Sequence, residues 1–174
     1  DRMLRYKRIN SVFFTDTLLC LKCPSKRGNR YAQLFVSDKG FVAVYPMKRQ
    51  SDFQQALHRF CKEVGVPEKL VMDAHPAQTS SATRRLCSQV GTIMKVLEQG
   101  TPWANRAELY IELLNEATRK DLRASSAPLC LWDYCLERRV MVHNAVPRPL
   151  FQTDGMSPYE CTYGVQGDIS PFCT

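Results

Sequence analysis

The sequence predicts an α/β fold with one five-stranded mixed sheet covered by helices on both faces. Three observations carry this. Three β-rich apolar runs come first and are joined by short turns, as a meander requires. Helical and β-like segments then alternate, and two long helical segments follow, giving the order β-β-β-α-β-α-β-α-α. With 174 residues and a hydrophobic fraction of 44%, the chain can bury one core without disulfide or metal staples.

SVFFTDTLLCL (11–21) is apolar and β-branched or aromatic, so it predicts a buried strand. Pro24 to Arg30 is polar and basic and predicts a loop. Strands at 31–37 and 41–47 flank Ser37 to Gly40, where glycine supplies the positive φ of a hairpin turn. Ser51 with Gln54 reads as a capping box. Phe53, Leu57, Phe60, Cys61 and Val64 then share one helical face, and Gly65 closes the helix. Pro67 reads as a break, and KLVMDA (69–74) as a short buried strand. Ser80 or Ser81 caps a second helix to about Val90, with Leu86 and Val90 inward; TIMKVLE (92–98) is the last strand. Gln99 to Asn105 reads as a mobile loop. A long helix follows from about Asn105 to Arg123, with Leu109, Ile111, Leu113, Leu114 and Leu122 on its apolar side. Another runs from about Ala127 to Val146, before a tail rich in Pro and Gly.

Lys and Arg number 24 against 17 Asp and Glu, a formal charge of +7. That excess favours polyanionic partners, nucleic acid first. Basic residues cluster at Lys26-Arg27 with Arg30, Lys48-Arg49, Arg84-Arg85, Arg119-Lys120 with Arg123, and Arg138-Arg139. The bland alternative for any one pair is a solvated face. The eight cysteines lie mostly in apolar runs, where a reduced thiol acts as a small hydrophobe. Cys20-x-x-Cys23 is half of a zinc knuckle, but no second pair follows. This usage suits a reducing compartment. No apolar run approaches the roughly 20 residues of a membrane span. An opening at Asp1 without Met suggests a segment of something longer.

Three acids stand out. Asp16 interrupts an apolar strand, where a carboxylate is costly unless paired or bound to a cation. Asp73 ends a strand in LVMDAH, where α/β folds place their sites. Glu108 opens the long helix after the loop. Each has a bland reading: a satisfied buried polar group, a turn residue, a first-turn acid on the helix dipole. Together they suit phosphodiester chemistry, which uses two Mg²⁺ (or Mn²⁺) ions roughly 4 Å apart on the attacking and leaving oxygens. Glu112 shares the helix face of Glu108 but lies one turn further along. His75, beside Asp73, is a candidate phosphate or metal contact.

The spacing and surroundings of these acids carry a resemblance. Asp73 and Glu108 are 35 positions apart. Thr101-Pro102-Trp103-Ala104-Asn105-Arg106-Ala107-Glu108 precedes the helix; Leu131-Trp132 opens the next one; Ser157-Pro158-Tyr159-Glu160, Gly164 and Asp168-Ile169-Ser170 follow. The chain resembles, over nearly its whole length, the catalytic core of integrases from copia-type long-terminal-repeat retrotransposons, and more distantly of retroviral integrases. Those cores carry Asp, Asp, then Glu about 35 residues on, a Thr-Pro-x-x-Asn-Gly-x-Ala-Glu stretch, and a Thr-Pro-Tyr-Glu tail. Three positions depart from the pattern: Ala74-His75 replaces a small pair such as Asn-Gly, Arg106 replaces the loop glycine, and Leu109 replaces a basic residue.

The resemblance implies a ribonuclease H-like fold over 1–146, with 147–174 as a C-terminal extension of the core. It implies Asp16, Asp73 and Glu108 as catalytic metal ligands, and joining of retroelement DNA 3′ ends to target DNA. It also implies a homodimer or higher oligomer, release from a polyprotein, and work in the nucleus after a cytoplasmic particle stage. Arg84, Arg85, Asn105, Arg106, Arg119 and Lys120 are the candidate DNA contacts, with Trp103 and Tyr110 as candidate stacking residues. The departures predict reduced or lost activity. Two rivals stand beside this reading: a ribonuclease H-type nuclease, and a catalytically decayed relic that binds nucleic acid or protein.

Overall fold

A computed structural model describes residues 6–20, 23–98, 106–147, 154–168 and 170. Ten regular elements run in the order β1 (Arg8–Leu19), β2 (Tyr31–Ser37), β3 (Val42–Met47), α1 (Phe53–Glu63), β4 (Val66–Met72), α2 (Ser81–Val90), β5 (Ile93–Val96), α3 (Arg106–Ala124), α4 (Trp132–Ala145) and α5 (Pro158–Tyr163). The strands form one sheet in the order β3-β2-β1-β4-β5. β1, β2 and β3 pair antiparallel, whereas β4 and β5 run parallel to β1. The expected five-stranded mixed sheet is therefore present.

Side chains alternate along a strand, so β1 feeds two cores at once. Phe13 points into a cluster with Phe35, Phe53, Leu57, Phe60 and Leu70, beneath α1. The Phe35 ring stacks on Phe60 at 4.4 Å between centroids, adding to the burial of both. Phe14 and Leu18 point the other way and join Leu34, Leu114, Trp132 and Leu136 beneath α3 and α4. Thus α1 and α2 cover one face and α3 and α4 the other.

The structure corrects several local readings. Ser51 and Gln54 do not make a capping box; a 3₁₀ turn over Gln50–Asp52 precedes α1. There the Asp52 carboxylate accepts the Arg49 N–H at 3.0 Å. The Gln54 amide instead donates to Ser80 Oγ at 3.3 Å. Pro67 does not break the chain but is the second residue of β4, paired with Ile9. A proline is tolerated near a strand's start. Leu109 and Leu113 are not on the buried face of α3; they are 57% and 46% exposed. The buried face is Ala107, Leu114, Thr118 and Leu122, which follows the 3.6-residue period. The segment from Ala127 begins as a 3₁₀ turn at Leu129–Leu131 and becomes helical only at Trp132. The Gln99–Asn105 loop lies outside the described residues.

The tail, rich in Pro and Gly, contains a further helix, α5. In α5, Ser157 Oγ accepts the Glu160 N–H and the Glu160 carboxylate accepts the Ser157 N–H. Pro158 sits at the first helical position and Gly164 closes the helix with φ +72°. Tyr163 of α5 packs edge-on to Phe41 at 5.6 Å, which ties this helix to the core. The seven described cysteines are free thiols; Cys61 and Cys87 are buried and the other five half-buried. Among the described residues, no helix is long and apolar enough to cross a membrane.

Candidate active site

β1 and β4 deliver the two aspartates together. Their parallel register pairs Phe14 with Val71 and Thr15 with Met72, so the next step sets Asp16 beside Asp73. Neighbouring strands lie roughly 4.8 Å apart, and in-register side chains share a face. By alternation with Phe14 and Leu18, that face is the one beneath α3. Glu108 stands in the first turn of α3. Asp16 is half-buried, whereas Asp73 and Glu108 are exposed.

Electrostatics register the same proximity. Burial pushes the Asp16 carboxyl up to about 6. The Thr17 backbone N–H, donated to Asp16 Oδ1 at 2.7 Å, pulls it down, while the charges of Asp73 and Glu108 push it up again and His75 pulls it down. The three acids and His75 therefore lie within one another's field. Among the described residues, however, no three His, Cys, Asp or Glu side chains form a group that holds a metal ion as it stands. The donor set is oxygen-only and acidic, the kind that suits Mg²⁺ or Mn²⁺.

A polar relay that composition did not reveal anchors the Asp73 loop. Gln78 Nε2 donates to Thr17 Oγ1 (3.2 Å), Thr17 Oγ1 to Gln33 Oε1 (2.7 Å), and Gln33 Nε2 to Thr15 Oγ1 (2.7 Å). Thr15 Oγ1 ends the relay on the Leu34 carbonyl at 2.7 Å. Every donor faces an acceptor, so each hydroxyl has a defined proton position. Within the loop, the His75 carbonyl accepts the N–H groups of Gln78 and Thr79, both at 3.0 Å. Ser80 caps α2 by accepting the Thr83 N–H, as expected. The signal was available: Thr15, Thr17 and Gln33 are polar residues inside runs that must be buried.

The start of α3 is pinned to the β2–β3 turn. Arg106 donates to the Asp38 carbonyl. Tyr110 packs edge-on to His143 at 5.4 Å, and its hydroxyl would lie 2.7 Å from a Cβ at Gly40. Gly40 also has φ +84°, so both turn and helix require glycine there. His143 Nε2 hydrogen-bonds to the Gly40 carbonyl at 2.9 Å. Asn144 accepts the Val42 N–H at 2.9 Å and donates to the Val42 carbonyl at 2.7 Å. The hairpin is thus held by α4 as a further strand would hold it. Tyr110 serves this packing.

The basic candidates separate by surroundings. Arg84 and Arg85 are exposed on α2, and Arg84 Nε donates to the Thr79 carbonyl at 3.2 Å. Arg119 and Lys120 are exposed on α3; Lys120 pairs with Glu116 at 2.7 Å. Asn105 and Trp103 lie outside the described residues. Arg27 and Arg139 are structural: Arg27 bridges Asp133 and Glu137, and Arg139 pairs with Asp121.

This sheet order, with helices on both faces, is the ribonuclease H-like fold, the fold of the integrase catalytic cores to which the chain is similar. Similar solved structures include the intasome of simian T-cell lymphotropic virus in complex with the PP2A regulatory subunit B56 gamma. There the TM-score is 0.72 at 16% identity, covering 89% of this chain and 56% of that one. The HTLV-2 integrase catalytic core domain in complex with magnesium, in its trimeric form, matches with TM-score 0.67 at 16% identity, over 91% of this chain and 100% of that one. The BIV integrase catalytic core domain matches with TM-score 0.64 at 16% identity, over 88% and 93%. No protein-family model and no curated protein matches the sequence.

Proposed function

We propose that this chain is the catalytic core of a metal-dependent DNA integrase of a long-terminal-repeat element, copia-type by its motifs, with Asp16, Asp73 and Glu108 as metal ligands. One observation carries the reading. Asp16 is a half-buried carboxylate pushed up to about 6, with two further acids in its field, an arrangement that destabilises a chain with no cation to bind. Divalent ions on such a donor set supply Lewis acidity to the attacking and leaving oxygens of an in-line phosphoryl transfer.

The protein's own groups then have defined tasks. The Thr17 N–H orients the Asp16 carboxylate. The relay through Gln78 holds the loop after Asp73 against β1. The first turn of α3 presents Glu108 from a helix end pinned by Arg106 and Tyr110. Exposed Arg84, Arg85 and Arg119 suit phosphate contacts without base readout. Work as an oligomer on nuclear DNA belongs to the same reading.

The test is strand transfer of a labelled oligonucleotide end into plasmid DNA, in Mg²⁺ and in Mn²⁺. Joining that is lost in Asp16→Asn and Asp73→Asn supports the proposal. Hydrolysis of RNA–DNA hybrids without joining would favour a nuclease. A second reading, a non-catalytic relic, is favoured by the lack of a ready metal group among the described residues. Calorimetric titration with Mn²⁺ that shows no binding would select it.

A further inference from the structure

The two aspartates come from neighbouring strands, but they are held together from the opposite face of the sheet. Asp16 shares the α3 side with Phe14 and Leu18, so by alternation Thr15 and Thr17 turn to the α1 side with Phe13. Thr17 pairs with Gln33, which lies two residues from Phe35 on that same side. Thr15 and Gln33 are both 0% exposed, so they form a polar layer inside a hydrophobic core.

Thr17 joins this layer to both acids. Its backbone N–H is donated to Asp16 Oδ1 at 2.7 Å. Its hydroxyl accepts Gln78 Nε2 at 3.2 Å and donates to Gln33 Oε1 at 2.7 Å. From Gln78, backbone bonds lead back to Asp73. The Gln78 N–H is donated to the His75 carbonyl at 3.0 Å, and the His75 N–H to the Asp73 carbonyl at 2.7 Å. Residues 73–76 are exposed, whereas Gln78 is 2% exposed, so the loop is seated through this side chain. Gln78 Oε1 is buried without a hydrogen-bond partner. Among the described residues, the bond to Thr17 is therefore the one that holds the amide. Without it, a buried primary amide would be left unpaired; the cost is relieved by moving to water, and the loop moves with it.

We propose that Thr17 is a positioning residue: its hydroxyl, acting through Gln78 from the far face of the sheet, sets where Asp73 stands relative to Asp16, and with it the affinity of the pair for a divalent cation. This role rests on the catalytic reading of the two aspartates and adds to it a residue that acts through others. Groups that hold metal-ligating side chains in place typically change metal affinity by about ten- to a hundredfold.

The experiment compares Thr17→Val, Thr17→Ser and Thr15→Val. Valine keeps the branched shape and deletes the hydroxyl, whereas serine keeps the hydroxyl. Thr15→Val removes a hydroxyl from the same layer but leaves the Thr17–Gln78 bond in place, so it reports the structural cost alone. The readouts are hydrogen exchange of the His75, Gln78 and Thr79 amides in the metal-free chain, and Mn²⁺ affinity by calorimetric titration. In Thr17→Val the three amides should exchange about fivefold faster, the ratio that loss of one ordinary hydrogen bond produces. Its Mn²⁺ affinity should fall by about tenfold or more. Thr17→Ser should match the wild type in both, and Thr15→Val should lower Tm while leaving both near the wild type. If Thr17→Val does not fold, Gln78→Leu removes the other end of the same bond and takes its place. Unchanged exchange in Thr17→Val, equal acceleration in Thr15→Val, or Mn²⁺ affinity that survives in Thr17→Val overturns the positioning role and leaves the catalytic reading intact. Wild type that binds no Mn²⁺ overturns the catalytic reading, and the positioning role with it.

Discussion

Replacing Asp16 by Asn should stabilise the apo protein at neutral pH. The Asp16 carboxyl is raised from 3.8 to about 6, first by burial and then by Asp73 and Glu108. The folded state therefore holds this proton more than a hundredfold more tightly than the unfolded chain, nominally about 3 kcal/mol at about 1.4 kcal/mol per tenfold. The carboxylate is only half-buried, so solvent screening reduces the usable part to about 1–2 kcal/mol. For a raised acid, the contribution is fully present below the unfolded value and is lost as pH rises through the folded one. The wild type should thus lose stability relative to Asp16→Asn between about pH 4 and about pH 6.5. Asn keeps an oxygen to accept the Thr17 N–H, so the geometry survives. The assay is thermal unfolding near pH 4 and near pH 7.5, where 1 kcal/mol moves Tm by about 2–4 °C in a chain of this size. Mg²⁺ or Mn²⁺ should then raise the Tm of the wild type at neutral pH and that of Asp16→Asn much less. A variant less stable than wild type near pH 7.5, or an advantage of equal size near pH 4, refutes the reasoning.

Other perturbations have equally specific outcomes. Glu108→Gln should eliminate joining in Mg²⁺, whereas Glu112→Gln, exposed one turn further along α3, should leave most of it; the reverse pattern in the strand-transfer assay would move the site down the helix. Asp133 is fully buried; burial raises its carboxyl, but hydrogen bonds from Arg27, Asn29 and Ser25 outweigh that and hold it below the usual range. Arg27→Met should therefore cost about 2 kcal/mol in urea unfolding at neutral pH, less than a fully buried pair because Arg27 is partly exposed. Asp133 contributes stability above the usual carboxylate range that is lost as pH falls through its depressed value, and in Arg27→Met that acid loss should begin at higher pH. Gln78→Leu should cost about 1 kcal/mol by unhooking the loop from Thr17, and should lower joining more than thermal stability. DNA binding should fall steeply with salt and ignore sequence, read by fluorescence anisotropy on unrelated duplexes; a flat salt response would argue against phosphate contacts.

Much of this architecture can be read along the chain, because its signals are local. Alternation in 11–21 requires a two-faced buried strand, Gly40 a tight turn, and the 3.6-residue period of Phe53, Leu57 and Phe60 an inward face. Asp16 and Asp73 were suspect for a local reason too: each is a carboxylate where a strand must be buried or must end. The helix α5 was equally legible from Ser157, Pro158, Glu160 and Gly164, but the count of Pro and Gly obscured the cap they form. Which side of α3 is buried was not legible. Five apolar residues lie around that helix, and only its docking against β1 and β2 selects Ala107, Leu114, Thr118 and Leu122 and leaves Leu109 and Leu113 outside. The same docking decides that Arg27 serves Asp133, 106 positions away, that Asn144 holds Val42, 102 away, and that Gln78 reaches Thr17, 61 away. A hydrogen bond's partner is set by distance in space, and the chain encodes that distance only through the packing of the whole sheet. The sequence alone therefore determined which residues were expensive to bury; the tertiary structure decided what each of them is bonded to.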